Sequence, residues 1–160
     1  MSRHMTGATG AIRIVRATAR DSARLTAMVR RSRAYEGHYA AMVAGYRVGA
    51  VYIDTHPVHL AVDDDDTLLG FYSLVLSPPE LDLMFVADAA QGRGIGRRLV
   101  GHMLDEARAA GLDTVRVVSH PPAEGFYRSV GAERVGTSPA IPGSVPWERP
   151  ELVFRLHGEA

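Results

Sequence analysis

The chain has 160 residues, and its 18 Lys plus Arg are balanced by 18 Asp plus Glu, so its net charge is zero when the histidines are neutral. A neutral chain has no overall field that attracts nucleic acid or an anionic membrane, and the lack of cysteine excludes disulfides, thiolate nucleophiles and cysteine metal ligands. No apolar run approaches the ~18 residues of a membrane span, so we expect a cytoplasmic protein with neither nucleic-acid nor membrane partners.

The first ten residues differ from the rest of the chain. Residues 1–10 are polar and lack the periodicity of a helix or a strand, and we interpret them as a disordered or vector-derived extension. Residues 11–158 have the length of one ordinary domain and contain no repeat or low-complexity linker. A single domain over 11–158 is therefore predicted.

The first half of the chain predicts a strand, two helices and a hairpin. Residues 11–17 alternate apolar residues with Arg, the pattern of a strand with one buried face. Thr18 can cap a helix that runs to about Arg33, because Asp21 follows it by three residues and apolar residues then recur at helical spacing. A second short helix is predicted over 35–46, and β-prone runs over 58–62 and 68–76 predict the hairpin.

Four consecutive aspartates, Asp63 to Asp66, join the two strands of this hairpin. We interpret them as an exposed turn; calcium binding is the alternative, although calcium loops need spaced ligands and usually a glycine. The seven histidines show neither His-x-x-x-His nor the paired-acid spacing of zinc sites. No metal is therefore expected.

The second half predicts alternating strands and helices. Strands are predicted over 81–86, 114–118 and 152–156, a long helix over 94–110 that ends at Gly111, and a short helix over 122–130 that ends at Gly131. The last strand is expected at an exposed sheet edge, where a homodimer could form.

A glycine-rich segment lies between the strand over 81–86 and the long helix. It reads Gln91-Gly92-Arg93-Gly94-Ile95-Gly96 and is followed by Arg97 and Arg98. Glycines allow close approach of the backbone, and the free amides and positive dipole of a helix start favour an anion. The segment therefore predicts a diphosphate site, with each of the three arginines either at the ligand or in solvent.

Two other phosphate-binding motifs do not fit this segment. The dinucleotide motif Gly-x-Gly-x-x-Gly would place its third glycine at Arg97, and it follows the first strand of its fold, whereas several predicted strands come earlier here. The nucleotidase phosphate loop requires a lysine, and the chain has none.

Two motifs carry a family resemblance. Gln91, Gly94 and Gly96 match Gln/Arg-x-x-Gly-x-Gly/Ala, and Phe126-Tyr127 followed by Gly131 is similar to the family's Phe-Tyr and Gly-Phe segment. On these residues the chain resembles the GNAT superfamily of acetyl-CoA-dependent N-acetyltransferases over about 81–135. The resemblance implies an α/β fold with a mixed, mostly antiparallel central sheet that is splayed in the middle and flanked by helices.

The resemblance further implies acetyl-CoA as cofactor, with its pantetheine arm between the strands over 81–86 and 114–118. It assigns cofactor contacts to Met84, Phe85, Val86, Gln91, Gly92, Arg93, Gly94, Ile95, Gly96, Arg97, His120 and Phe126. The family often has Asn where this chain has His120, which leaves one side-chain contact open.

Tyr127 occupies the position of the phenol that protonates the CoA sulfur in similar proteins, and a phenol is protonated at neutral pH. The alternative role for Tyr127 is packing in a half-buried helix. The transfer also needs an unprotonated amine, and Asp82, on the strand that leads into the cofactor site, is the first candidate base. Glu80, Glu124, His120 and a water are the other candidates, since imidazole titrates near neutral pH.

The acceptor is predicted to be a small-molecule amine, held by the aromatic residues Tyr35, Tyr39 and Trp147. These side chains come from regions that flank the acceptor cleft in similar proteins, but they could equally pack in the core. Acetylation of a peptide or protein amine is the alternative activity. A non-catalytic acyl-CoA-binding module and a dinucleotide oxidoreductase are the alternatives from other classes.

Overall fold

The computed structural model describes residues 11–32, 47–143 and 147–156. The helix predicted over 35–46 and the extension predicted over 1–10 lie outside these ranges. The described residues form a seven-stranded sheet in the order β1-β2-β3-β4-β5-β7-β6. Its strands are β1 (Arg13–Arg16), β2 (Val58–Val62), β3 (Leu68–Leu76), β4 (Pro79–Val86), β5 (Thr114–Val118), β6 (Glu133–Ser138) and β7 (Arg149–Arg155).

Four α-helices accompany the sheet in the described ranges. They are α1 (Ser22–Arg31), α2 (Ala50–Thr55), α3 (Ile95–Ala109) and α4 (Glu124–Ser129), and short 3-10 turns precede α1 and α4. The backbone amide of Thr18 donates to Asp21 Oδ2 at 2.8 Å, so Asp21 helps to close the turn that starts the first helix. None of the described helices has the length and hydropathy that crossing a bilayer requires.

Helices cover both faces of the sheet. Successive residues of a strand point to opposite faces, and Phe71 and Tyr72 of β3 accordingly enter two separate cores. Leu99 and Met103 of α3 pack with Tyr72 in one core, while side chains of α1 and α2 pack with Phe71 in the other. Helical periodicity predicts Ile95, Leu99, Met103, Leu104 and Ala107 on the inward face of α3; all are buried except Leu104, which is partly buried.

The sheet opens between its two central strands. Strands β4 and β5 run parallel and pair in register at Glu80 and Arg116, whereas the other neighbouring strands are antiparallel. Beyond that point the carboxyl half of β4 has no described strand on its β5 side. The predicted splayed, mostly antiparallel sheet is confirmed.

Two elements were not predicted, and one was placed wrongly. Helix α2 was missed because only Ile53 of its six residues is buried, and strand β6 because its side chains are mostly exposed and polar. The last strand, β7, pairs with β5 on one side and β6 on the other, so it is not an exposed edge. The expectation of a free edge there is wrong, because β6 covers it.

The aspartates between β2 and β3 form a closed turn. Asp63 Oδ1 accepts hydrogen bonds from the backbone amides of Asp65 and Thr67, both at 2.9 Å, and these bonds lower the pKa of Asp63. Asp66 has the left-handed φ of 61°, and its amide donates to the Asp63 carbonyl at 3.0 Å. Here Asp63 uses its carboxylate to hold the turn.

Candidate functional site

A cavity of about 430 Å³ lies where the sheet opens. It is bounded by the end of β4, the glycine segment, the start of α3 and the region around α4. Its lining residues are Ser32, Met84, Phe85, Val86, Ala90, Gln91, Gly92, Gly94, Ile95, Gly96, Arg97, His120, Ala123, Phe126 and Tyr127. Eleven of the twelve residues predicted to contact a cofactor, all but Arg93, are therefore brought together in one cavity.

The glycine segment has the backbone geometry of an anion-binding loop. Gly92 and Gly94 have φ values of 82° and 76°, in the left-handed region that glycine enters at little cost. Gly94 caps α3 and has no side chain that could hydrogen-bond to the amides at this helix start. The first amides of α3, at Ile95 to Arg97, precede the positions that have partners within a helix. The three residues that carry these amides line the cavity.

Gly96 lies where the helix meets α4 and β4. A Cβ atom there would lie 3.1 Å from Phe126 Cζ and 3.4 Å from Met84 Cε. The absence of a side chain at Gly96 therefore lets α3 approach Phe126 closely. At the first residue of the segment, Gln91 Nε2 donates to the Val86 carbonyl at 3.2 Å, and this bond links the segment to the end of β4.

The three arginines of the segment have different surroundings. Arg97 lines the cavity. Arg93 is not among the described lining residues, and its charge instead helps to lower the pKa of Asp63. Arg98 donates from Nη2 to the Ile12 carbonyl at 3.3 Å. Arg97 is therefore the arginine best placed to meet a ligand in the cavity.

Tyr127 lies at the α4 side of the cavity and is buried, with 8% of its surface exposed. Its ring packs edge-to-face on Phe126 at 5.3 Å between centroids. Its carbonyl accepts hydrogen bonds from the amides of Val130 and Ala132 at 3.3 and 3.0 Å, which close the end of α4. The Tyr127 side chain therefore both packs on Phe126 and lines the cavity.

His120 follows β5 and lines the same cavity. Burial lowers the pKa of its imidazole below the ordinary value of 6.5. The neutral ring is therefore the stable form at neutral pH, and it can accept a proton or a hydrogen bond.

This lowered pKa makes part of the stability pH-dependent. As pH falls below about 6.5, unfolded chains bind a proton at His120 before folded chains do, so this residue's contribution to the unfolding free energy is lost on acidification. We expect His120→Asn to lose less Tm than the wild type between about pH 7.5 and about pH 5. Thermal unfolding across pH measures the difference; equal losses in the two proteins would contradict it.

Asp82 is exposed and lies at a β-bulge, outside the lining of the cavity. In the β3–β4 register, Ser73 pairs with Leu83 and Leu74 with Leu81, so Asp82 is the extra residue. Bulges re-aim a side chain, and this one brings Asp82 Oδ2 to the Tyr52 hydroxyl in a short hydrogen bond. The Tyr52 hydroxyl also lies 2.6 Å from Ser73 Oγ. Tyr52 was not predicted, since its helix was missed.

The two weaker candidate bases are held in ion pairs. Glu80 lies 3.5 Å from Arg116 at the point where β4 and β5 pair, and burial raises the pKa of its carboxyl. Glu124 Oε1 lies 3.2 Å from Arg134 Nη1. These contacts suit roles in holding the strands and α4 in place.

The predicted acceptor residues are not assembled in the described structure. Tyr35 and Tyr39 lie outside the described residues. Trp147 is partly buried just before β7, and it is not among the described residues that line the cavity. A second cavity of about 300 Å³ adjoins the first through Ser32 and Val86, and Met28, Arg31 and Asp88 line it.

Sequence relatives have acetyltransferase names. The chain is 32% identical over 98 residues to the peptidyl-lysine N-acetyltransferase YjaB of Salmonella typhimurium, covering 61% of this chain and 65% of that protein. It is 37% identical over 87 residues to the N-alpha-acetyltransferase RimI of Mycobacterium tuberculosis, covering 51% of this chain and 55% of that one. The chain thus spans less than two thirds of the length of these curated relatives.

Solved structures share the fold. A GCN5-related N-acetyltransferase from Rhodopseudomonas palustris superposes with a TM-score of 0.76 at 18% identity, covering 92% of this chain and 96% of that one. The Salmonella typhimurium protein yncA, solved with acetyl-CoA, superposes with a TM-score of 0.70 at 17% identity, covering 94% and 96%. At these identities the likeness concerns the fold alone.

A family model settles the membership. The model described as the acetyltransferase (GNAT) family matches residues 18–132. That range contains β4 and β5, between which the sheet opens, together with the glycine segment and Tyr127. The chain therefore belongs to the acetyltransferase (GNAT) family.

Proposed function

We propose that the chain is an acetyl-CoA-dependent N-acetyltransferase that acts on the amine of a small molecule. The observation that carries the proposal is the cavity, in which a loop with two left-handed glycines and a helix start lies in the same enclosure as a buried tyrosine. Family membership and the names of the relatives support N-acetyl transfer, without favouring a small-molecule acceptor.

The residues present fit the chemical groups of acetyl-CoA. The amides from Gly92 to Arg97, with the Arg97 guanidinium, are suited to hold the diphosphate. The edge of β4 at Met84 to Val86, which faces the opening of the sheet, offers backbone groups for the amides of the pantetheine arm. The Phe126 ring and the Met84 side chain are apolar and suit the thiol end of that arm.

When bound, acetyl-CoA supplies an acyl group activated as a thioester. Tyr127 holds a phenolic proton in the cavity and is placed to donate it to the departing thiolate. His120, kept neutral by burial, can accept a hydrogen bond or a proton in the same enclosure. Asp82, held by Tyr52, is suited to attract and orient an ammonium group at the mouth of the opened sheet.

Asp82→Asn tests the last of these roles. Loss of the carboxylate charge should raise the KM for the amine about 5-fold, because an exposed charge attracts an ammonium group by about 1 kcal/mol, and leave the acetyl-CoA Kd unchanged. Asp54→Asn is the matched control, since Asp54 is an exposed aspartate on the same helix as Tyr52. An unchanged KM in Asp82→Asn would exclude this role.

A peptide amine is the second candidate acceptor, because the relatives are named as acting on peptidyl lysine or the N-terminal amine. Release of CoA thiol should be measured with small amines, amino acids and short peptides that have a lysine or a free N-terminus. Turnover confined to peptides would overturn the small-molecule assignment. Saturable acetyl-CoA binding without turnover on any amine would indicate a binding module instead of an enzyme.

A further inference from the structure

A second group of chemically active side chains lies on the α3 face of the sheet. Its members are His59 on β2 and His102 and Glu106 on α3. One possible ligand atom from each of the three lies within 4.8 Å of the other two. None of them lines the cavity that the proposed reaction uses.

From this geometry we propose that His59, His102 and Glu106 bind a divalent transition-metal ion, for which Zn²⁺ is the probe. Two imidazoles and one carboxylate form a donor set that zinc takes, with a fourth position for water. A tetrahedral site with bonds of about 2.1 Å separates its ligand atoms by about 3.4 Å. The present separations therefore need only a small inward movement of the side chains.

Local geometry allows that movement. His102 and Glu106 are four residues apart on α3, so their side chains lie on one face of the helix, and both are partly exposed. His59 is fixed in the sheet with 9% of its surface exposed. A rigid ligand from the strand thus faces two adjustable ligands from the helix.

The His59 ring has an unexplained polar atom. Its Nδ1 is buried and has no hydrogen-bond partner within the described ranges. Buried polar atoms are nearly always paired, and a bound ion or water is an ordinary explanation for one that is not.

A metal-binding histidine usually hydrogen-bonds through the ring nitrogen that does not bind the metal, and His102 makes such a contact. The Tyr72 hydroxyl lies 2.8 Å from His102 Nδ1, and the Tyr72 ring stacks on His59 at 5.4 Å between centroids. Ligation through Nε2 of His102 would leave its Nδ1 proton to be donated to Tyr72, which fixes the ring.

The surrounding charges are mixed. Glu106 and Asp105 contribute negative charge, while Arg16, which lies opposite His59 in the β1–β2 register, contributes positive charge. Arg16 donates from Nη2 to the carbonyls of Ile53 and His56 at 3.4 and 3.0 Å, so its guanidinium is held by other acceptors. Ligation by Glu106 would offset this positive charge.

Such an ion would join α3 to β2. Because α3 carries the glycine segment at its start, the ion would hold the helix that positions the cavity without touching the cavity itself. Sequence spacing could not reveal the site, because one ligand comes from a distant strand and the helix supplies His-x-x-x-Glu instead of His-x-x-x-His.

Calorimetric titration of the metal-free 160-residue chain with Zn²⁺ tests the proposal. We expect one saturable site and, at a hundredfold excess of free Zn²⁺ over Kd, a rise in Tm of roughly 5–10 °C. His102→Ala and Glu106→Gln should each weaken binding 10-fold or more while their circular dichroism stays native. Both side chains are partly exposed, so these variants spare the buried His59.

Asp105→Asn and His56→Ala are the matched controls. They remove an adjacent carboxylate on the same helix and a partly exposed histidine that packs on Tyr52 outside the proposed site, and both should retain wild-type affinity. Co²⁺ bound to the wild type should give the visible absorption of a tetrahedral complex, and His102→Ala should abolish it. The proposal is overturned if no saturable binding occurs, or if His102→Ala and Glu106→Gln bind as tightly as the controls.

Discussion

Tyr127→Phe is expected to lower kcat by about 100-fold or more while the chain folds normally, since a positioned general acid contributes about 10² to 10⁴ in rate. The substitution removes only the phenolic oxygen, and the ring keeps its packing on Phe126. Steady-state release of CoA thiol measures kcat, and the Kd of acetyl-CoA should stay within about 3-fold of wild type, because the diphosphate contacts are untouched.

Stability and acetyl-CoA binding of the variant distinguish proton donation by Tyr127 from packing. If Tyr127 only packs, the variant will lose a little stability and keep its turnover, and the general-acid role is then wrong. A large fall in kcat together with a native Tm and an unchanged Kd would leave proton donation as the explanation. A fall in kcat accompanied by a low Tm would instead point to damaged packing of α4.

Gly94→Asp is expected to weaken acetyl-CoA binding by about 10- to 100-fold. The new carboxylate would lie at the start of α3 beside the amides that we assign to the diphosphate, where each like-charge pair costs about 1 to 3 kcal/mol. No atom lies within 4 Å of a Cβ built at Gly94, so the side chain meets no neighbour, and the backbone strain at the φ of 76° also applies to the Asn control. Calorimetric titration with acetyl-CoA measures the change in Kd.

Gly94→Asn is the control that isolates charge. Asn and Asp have the same shape, both enter the left-handed region more readily than other non-glycine residues, and both are good N-cap residues. Their Tm values should therefore be similar, and only Gly94→Asp should lose most of its affinity. Equal affinity in the two variants would show that no anion binds at this helix start.

Much of the fold could be predicted from local pattern. The apolar, β-prone runs over 58–62 and 68–76 correspond to β2 and β3, whose residues are buried on both faces of the sheet. The helical periodicity after Gly94 corresponds to α3, which buries one face against the sheet. The elements that were missed, α2 and β6, have few buried side chains. Tertiary contacts stabilise them, and periodicity could not show that.

Part of the candidate site could likewise be predicted from the sequence, and part could not. Gln91, Gly94 and Gly96 are adjacent in sequence, so the glycine segment and its role could be predicted before the structure was known. The Asp82–Tyr52 contact depends on a bulge in β4 and on a helix that was not predicted. The different surroundings of Arg93, Arg97 and Arg98 depend on where the segment and α3 lie against the cavity, Ile12 and Asp63.

By itself, the sequence determined the family-specific loop, the order of most elements and the position of Tyr127, because these depend on backbone freedom and burial within short segments. Only the tertiary structure decided which distant side chains meet. It joined Asp82 to Tyr52, placed β7 inside the sheet, and gathered His59 with His102 and Glu106. Strand register and helix docking govern those contacts, and both are set by packing across the whole chain.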